Sequence, residues 1–106
     1  MTYHQSLQAL ADPTRRAVFE RLRKGPIAVG KLAANLPVSR PAVSQHLKVL
    51  KNAGLVSEHQ QGTRRIYRVE TNGLVELRQY LDTFWDQTLE SFKSHAESRS
   101  DKDEQG

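Results

Sequence analysis

The chain has 106 residues, 37% of them apolar and none of them cysteine, and a formal net charge of +4. That length suits one domain with one modest core, and the missing cysteines exclude disulfides, thiol redox sensing and thiolate metal sites. No apolar run approaches a membrane span and no signal-peptide pattern is present, so the expectation is a cytoplasmic protein without a membrane partner.

The apolar fraction is low for a self-sufficient monomer, which leaves room for a partner chain to complete part of the core. Charge is unevenly spread. Residues 97–106 hold two basic and four acidic side chains, so residues 1–96 carry a net +6. An excess of that sign on a small domain favours polyanions, nucleic acid first among them.

A first short helix is expected from about Tyr3, with Leu7, Leu10 and Ala11 as its apolar cluster. Asp12 suits an N-cap and Pro13 the first position of a second helix, which buries Ala17, Val18, Phe19 and Leu22. Lys24-Gly25-Pro26 stops it. Ile27-Ala28-Val29 is a short apolar run that fits a strand residue or two and a turn. Residues 31–36 form a short third helix, broken by Pro37-Val38.

Ser39 caps the fourth helix. On a 100° wheel Val43, Leu47, Leu50 and the following Leu55 gather on one side, while Pro41, Ser44, Gln45 and Lys48 gather opposite. Lys51 and Asn52 extend the polar face, His46 lies at its border, and Gly54 is the expected left-handed stop. Residues 55–60 and 64–69 read as two strands joined by a turn at Gln61-Gly62-Thr63. Thr71-Asn72-Gly73 starts a last helix that buries Leu74, Leu77, Leu81, Phe84, Trp85, Leu89 and Phe92. That apolar stripe is wider than a small domain can cover. Residues 1–96 thus form one domain, and residues 97–106 are expected to be a disordered charged tail.

Five helices with a two-stranded hairpin between the last two make a mainly α fold, the winged helix-turn-helix. Its chemistry fits DNA. A helix fits the major groove, where Gln can bond adenine and Lys or Arg guanine. Ser39 and the open N–H groups at the start of the fourth helix suit a phosphate. Arg64, Arg65 and Arg68 on the hairpin fit the neighbouring minor groove or the backbone. The expected DNA-binding set is therefore Ser39, Arg40, Pro41, Ser44, Gln45, His46, Lys48, Arg64, Arg65 and Arg68. Arg15 and Arg16 suit either DNA phosphate or an exposed helix face.

Four runs carry a family likeness. Residues 10–16 (LADPTRR), residues 39–50 (SRPAVSQHLKVL) with residues 53–56 (AGLV), and the hairpin residues 62–69 (GTRRIYRV) together resemble the ArsR (ArsR/SmtB) winged-helix repressors. The resemblance covers about residues 5–95. It implies a prokaryotic homodimer, paired through its first and last helices, that represses transcription by covering an inverted-repeat operator. Leu7, Leu77, Leu81, Phe84, Trp85 and Phe92 are the expected interface.

The family's inducer sites carry over poorly. Two cysteines that serve known sensors fall at positions similar to Ala28 and Gly30. A second metal site falls at Asp82, Phe84, His95 and Ser98, where only two of four positions keep a ligating side chain. Zinc ordinarily takes four N, S or O ligands, so no metal and no cofactor is expected. His4, His46, His59 and His95 are widely spaced, and His46 is better placed for phosphate than for metal. Phe84, Trp85 and Phe92 suit a core or dimer interface, with a ligand pocket as the other reading. No nucleophile with a base, paired carboxylates, phosphate-binding glycine loop or H-E-x-x-H occurs, so no enzyme is expected.

Two alternatives remain open at this point. One is a winged-helix protein-interaction module without specific DNA binding. The other is a metal-responsive repressor with a non-standard His/Asp site.

Overall fold

In a computed structural model, which describes the backbone of residues 3–105 and the side chains of residues 3–96, helix α1 (Tyr3–Ala11) leads directly into α2 (Pro13–Leu22). Asp12 performs the expected cap, its carboxylate accepting from the Arg15 N–H at 3.0 Å. The two arginines that follow hold the previous helix. Arg15 donates to the carbonyls of Ala9 at 2.6 Å and Gln8 at 3.2 Å, and Arg16 donates to that of Leu10 at 3.0 Å. The last carbonyls of a helix have no partner inside it, so these side chains act as caps for the end of α1.

Strand β1 (Ile27–Ala28) runs straight into α3 (Val29–Ala34). Helix α3 therefore starts two residues earlier than the sequence predicts, with no turn between. The hairpin consists of β2 (Val56–Gln61) and β3 (Arg64–Val69), joined through Gly62-Thr63. Ile27 pairs with Tyr67 and Ala28 with Ile66, so the expected two-stranded wing is present and the short β1 extends it into a three-stranded antiparallel sheet in the order β1-β3-β2. A two-residue strand gives almost no local signal, and its pairing with residues forty positions away gives none.

Helix α4 (Arg40–Asn52) is capped by Ser39, whose hydroxyl accepts from the Ala42 N–H at 3.3 Å. It stops where Gly54 takes φ +74°. Its inner face is the centre of the core. Val43, Leu47, Leu50 and Leu55 are fully buried with Val18, Leu22 and Leu32, and Phe19, Ile27 and Val56 close the edges. Each such leucine contributes about 1.5–3 kcal/mol by leaving water. Ala17 is exposed on the outer side of α2, not buried as expected. On α1, Leu7 and Ala11 are exposed and Leu10 is half-buried; Ser6 and Ala9 are the buried pair.

Helix α5 (Asn72–Gln105) begins against the end of α4. The Gly73 N–H donates to the Gly54 carbonyl at 2.8 Å. A Cβ on Gly73 would collide with the Ala53 carbonyl oxygen and lie 2.9 Å from the Gly54 carbonyl carbon and oxygen. The buried Ser6 hydroxyl completes the joint, 3.2 Å from the Gly73 carbonyl and 3.4 Å from that of Ala53. Two turns further on, Tyr3 of α1 stacks on Tyr80 of α5 with ring centroids 4.0 Å apart.

Beyond Tyr80 the helix has no neighbour to lie on. The Cα radius of gyration is 20.1 Å, against about 13 Å for a compact chain of this size. Leu74 and Leu77 are half-buried, but Leu81, Phe84, Trp85, Leu89 and Phe92 are exposed, so the expected burial of the whole stripe does not occur within one chain. The helix also runs through residues 97–105, where the sequence suggests a disordered tail. No Pro or Gly lies between Gly73 and Gly106 to stop it, and the side chains of that stretch lie outside the described residues.

Gly73→Ala is expected to lower the unfolding free energy by about 2 kcal/mol or more, since the added methyl meets backbone that cannot swing away. Urea denaturation measures it, and a loss below about 0.5 kcal/mol would contradict the close approach.

Candidate nucleic-acid interface

Because Val43, Leu47 and Leu50 turn inward, helical periodicity turns Pro41, Ser44, Gln45 and Lys48 outward, and all four are exposed. The exposed Arg40 and Lys51 flank this stripe on the side of the wing. His46 lies on the opposite flank, half-buried, where it adds a minor contribution to holding the Asp12 carboxyl below its usual range; the larger cause is the Arg15 backbone N–H. Ser39 has already committed its hydroxyl to the Ala42 N–H, so any phosphate there would meet the open amides of the first turn beside it.

The wing divides its arginines. Successive strand residues face opposite sides. The face of Tyr67 and Val69 pairs with Glu58 and Val56, and it is the face that meets the core. Arg65 belongs to that face. Arg64 and Arg68 point to the other, with Gln61 and Ser57 beside them in register, and Arg68 donates to the Ser57 hydroxyl at 3.3 Å. The sequence reading groups the three arginines as equals, and the pleat separates one from the other two.

Arg65 also has a partner. Its guanidinium donates to both oxygens of Glu58, each at 3.2 Å, while the Lys51 ammonium donates to the same carboxylate at 2.6 Å. The Glu58 side chain is only 14% exposed. Lys51, then Tyr67 and Arg65, hold its carboxyl down to about 2, and burial followed by the Glu58 charge pushes the Tyr67 hydroxyl up to about 12. This carboxylate thus joins the last turn of α4 to both strands of the wing. Neither Glu58 nor Lys51 figures in the sequence-based set. The alternation in β2 marks Glu58 as facing the core side, which is the signal that would have found it.

Between the start of α4 and the tip of the wing lies a cleft of about 370 Å³ whose charged lining is wholly cationic: Lys31, Arg40, Arg64 and Arg65. Lys31 is a further cation that the sequence reading assigns only to its helix. The cleft therefore brings the start of α4 together with Arg64 and Arg65 of the wing.

A second surface runs along α5. Leu74, Leu77, Leu81, Phe84 and Trp85 line an open groove of about 540 Å³. Phe84, Trp85 and Phe92 are 56%, 61% and 70% exposed, and Leu7 of α1 is 41% exposed. Large apolar side chains grouped in this way mark an interaction surface. The sequence-derived metal positions do not assemble: Asp82 pairs with Arg78 at 3.8 Å, and among the described residues no group of three or more His, Asp or Glu stands close enough to hold a metal ion. Ser98 lies outside the described side chains. Among the described residues no helix is long and apolar enough to cross a membrane.

Residues 10–59 match the family described as a helix-turn-helix domain. The chain is 57% identical over 94 residues to the HTH-type transcriptional regulator Rv2034 of Mycobacterium tuberculosis, covering 89% of this chain and 88% of that one. It is similar to the structure of the ArsR family transcriptional regulator RHA00566, at 33% identity and a TM-score of 0.71, covering 79% of this chain and 87% of that one. This chain belongs to the ArsR family. Other relatives extend the comparison. The transcriptional repressor SdpR of Bacillus subtilis is 36% identical over 67 residues, covering 63% of this chain and 74% of that protein. The homodimeric winged helix-turn-helix DNA-binding domain of Mb0332 from Mycobacterium bovis is 27% identical with a TM-score of 0.64, covering 79% of this chain and 78% of that one. As an ArsR family member this chain is a transcriptional regulator with a winged helix-turn-helix fold built to bind DNA.

The position of Glu58 fixes a pH dependence. Its carboxyl is about 2 in the folded chain against an ordinary 4.5, so its stabilisation is complete above pH 4.5 and is lost as pH falls from there toward 2. Glu58→Gln should remove this acid-labile part and cost about 1–2 kcal/mol at neutral pH, because the partners are themselves half exposed. Urea unfolding from pH 3 to 7 compares the two proteins. Parallel pH profiles would contradict the assignment.

Proposed function

We propose that this regulator is a homodimeric repressor that binds an inverted-repeat operator, one α4 helix in each of two major grooves. The observation that carries the proposal is the exposed polar stripe of α4, whose first residue Arg40 shares a cationic cleft with Arg64 and Arg65 of the wing. In this reading Ser44 and Gln45 contact base edges, and Lys48 and Arg40 contact bases or phosphate. Pro41 and His46 border the groove. Arg64 and Arg68 supply affinity of little sequence dependence along the adjacent minor groove or backbone.

Pairing follows from α5. Its groove and the exposed Leu7, Leu81, Phe84, Trp85 and Phe92 are covered by the same elements of a second copy, with the half-buried Leu77 at the base. A two-fold dimer matches an operator with two-fold symmetry. The homodimeric Mb0332 domain and the repressor SdpR support the pairing and the direction of regulation.

Fluorescence anisotropy with duplexes selected from a random pool tests the reading head. Gln45→Ala should cost about 1–3 kcal/mol on the best duplex and far less on random DNA; equal losses on both would remove the claim that Gln45 reads sequence. Absence of duplex binding even at low salt would leave a protein-docking role instead.

Light scattering tests the pairing. The wild-type chain should be dimeric at micromolar concentration and Trp85→Asp monomeric, because a carboxylate would be buried without a partner. A monomeric wild type would contradict the interface.

A further inference from the structure

The cations near the reading head fall into two groups. Lys48, Arg40, Arg64 and Arg68 form no ion pair among the described residues. Lys51 and Arg65 are both engaged by one carboxylate, Glu58, at 2.6 Å and 3.2 Å. Their positions are not remote from the site. Lys51 is on the wing-side flank of α4, one turn after Lys48, and Arg65 lines the same cleft as Arg40 and Arg64. A carboxylate this close to a polyanion opposes binding, since DNA attracts through its phosphates and the attraction scales with the cations offered. Replacing Glu58 by a neutral side chain would leave one more positive charge on this face.

We infer that Glu58 is a specificity-determining residue of the DNA site: it holds Lys51 and Arg65 away from phosphate and so lowers the affinity for random DNA relative to the operator. The inference rests on the DNA-reading function proposed above. Its logic is that phosphate contacts carry no sequence information, so a freed cation adds most where base contacts have not already fixed the register, that is, on random DNA. A domain with a net +6 outside its acidic tail gains little discrimination from two more free cations and gains unwanted binding along all DNA. The same carboxylate fixes the wing against the last turn of α4, so the spacing between the base-reading stripe and Arg64 and Arg68 is set by the residue that restrains the charge. Glu58 is a positioning residue in this sense, and it touches no base.

The experiment measures the dependence of duplex binding on salt, for the selected duplex and for random DNA, with wild type, Glu58→Gln, Lys51→Met and Lys48→Met. Glu58→Gln should tighten random-DNA binding about three- to tenfold and steepen the log–log salt slope by about one unit, the value of one added phosphate contact. Its ratio of selected to random affinity should fall. Lys51→Met in the native background should leave the slope unchanged, whereas Lys48→Met should reduce it by about one unit. An unchanged or shallower slope for Glu58→Gln, or a loss of slope for Lys51→Met equal to that for Lys48→Met, would overturn the inference. Lys51→Met keeps the test decisive if Glu58→Gln proves poorly folded by thermal melting. If wild type itself fails to bind any duplex, the DNA-reading function fails, and that result is distinct from a wild type that binds with slopes contrary to those expected.

Discussion

Backbone meets backbone where α5 starts against the end of α4. Gly73, at the start of α5, lies against Ala53 and Gly54 at the end of α4 so closely that no side chain fits between them. Ser6 of α1 seals the same point from the third side. The joint links the two candidate surfaces: on one side is α4 with its exposed polar stripe, and on the other are the two helices that present the apolar surface. With no side chain to act as a compliant spacer, the angle between α4 and α5 is set by backbone packing. A dimer formed along α5 therefore delivers its two α4 helices at a set separation, as recognition of paired half-sites demands. The stack of Tyr3 on Tyr80, beyond the contact of Ser6 with Gly73, pairs α1 and α5 in antiparallel directions.

Electrostatics then acts on a frame already built. The short run Leu10–Arg16 spends its two arginines on the carbonyls at the end of α1, so that part of the positive excess is structural. Glu58 takes two more cations out of free circulation. What remains open lies where the fold can use it, on the outer stripe of α4 and the outer face of the wing. Counting basic residues overstates the cations free to meet a partner, because Arg15 and Arg16 are held by carbonyls and Lys51 and Arg65 by Glu58.

Much of this was legible in the sequence, and the reason is that it is local. Asp12-Pro13 and Ser39 announce helix starts, Gly54 a helix end, and the spacing of Val43, Leu47 and Leu50 the buried face. The outer stripe of α4 follows from the same periodicity, and the family likeness follows from the motifs themselves. The missing parts depend on contacts between distant residues. Ile27-Ala28 becomes a strand only because β3 lies beside it. Arg65 differs from Arg64 and Arg68 only once the core-facing side of the hairpin is known. Alternation with Val56 marks Glu58 as core-facing, but its partner Lys51 comes from another element and carries no local signal. The apolar stripe of α5 was read correctly as too wide for the domain but was expected to be buried, and burial of that stripe needs more than one chain.

The central claim is that a rigid joint between α4 and α5 lets one dimer place two recognition helices on one face of DNA. Hydroxyl-radical footprinting of the wild-type protein on a selected duplex tests it most directly. The account predicts two protected stretches related by two-fold symmetry, their centres about 10 bp or a multiple of that apart. A single protected patch, or protection without two-fold symmetry, would contradict it.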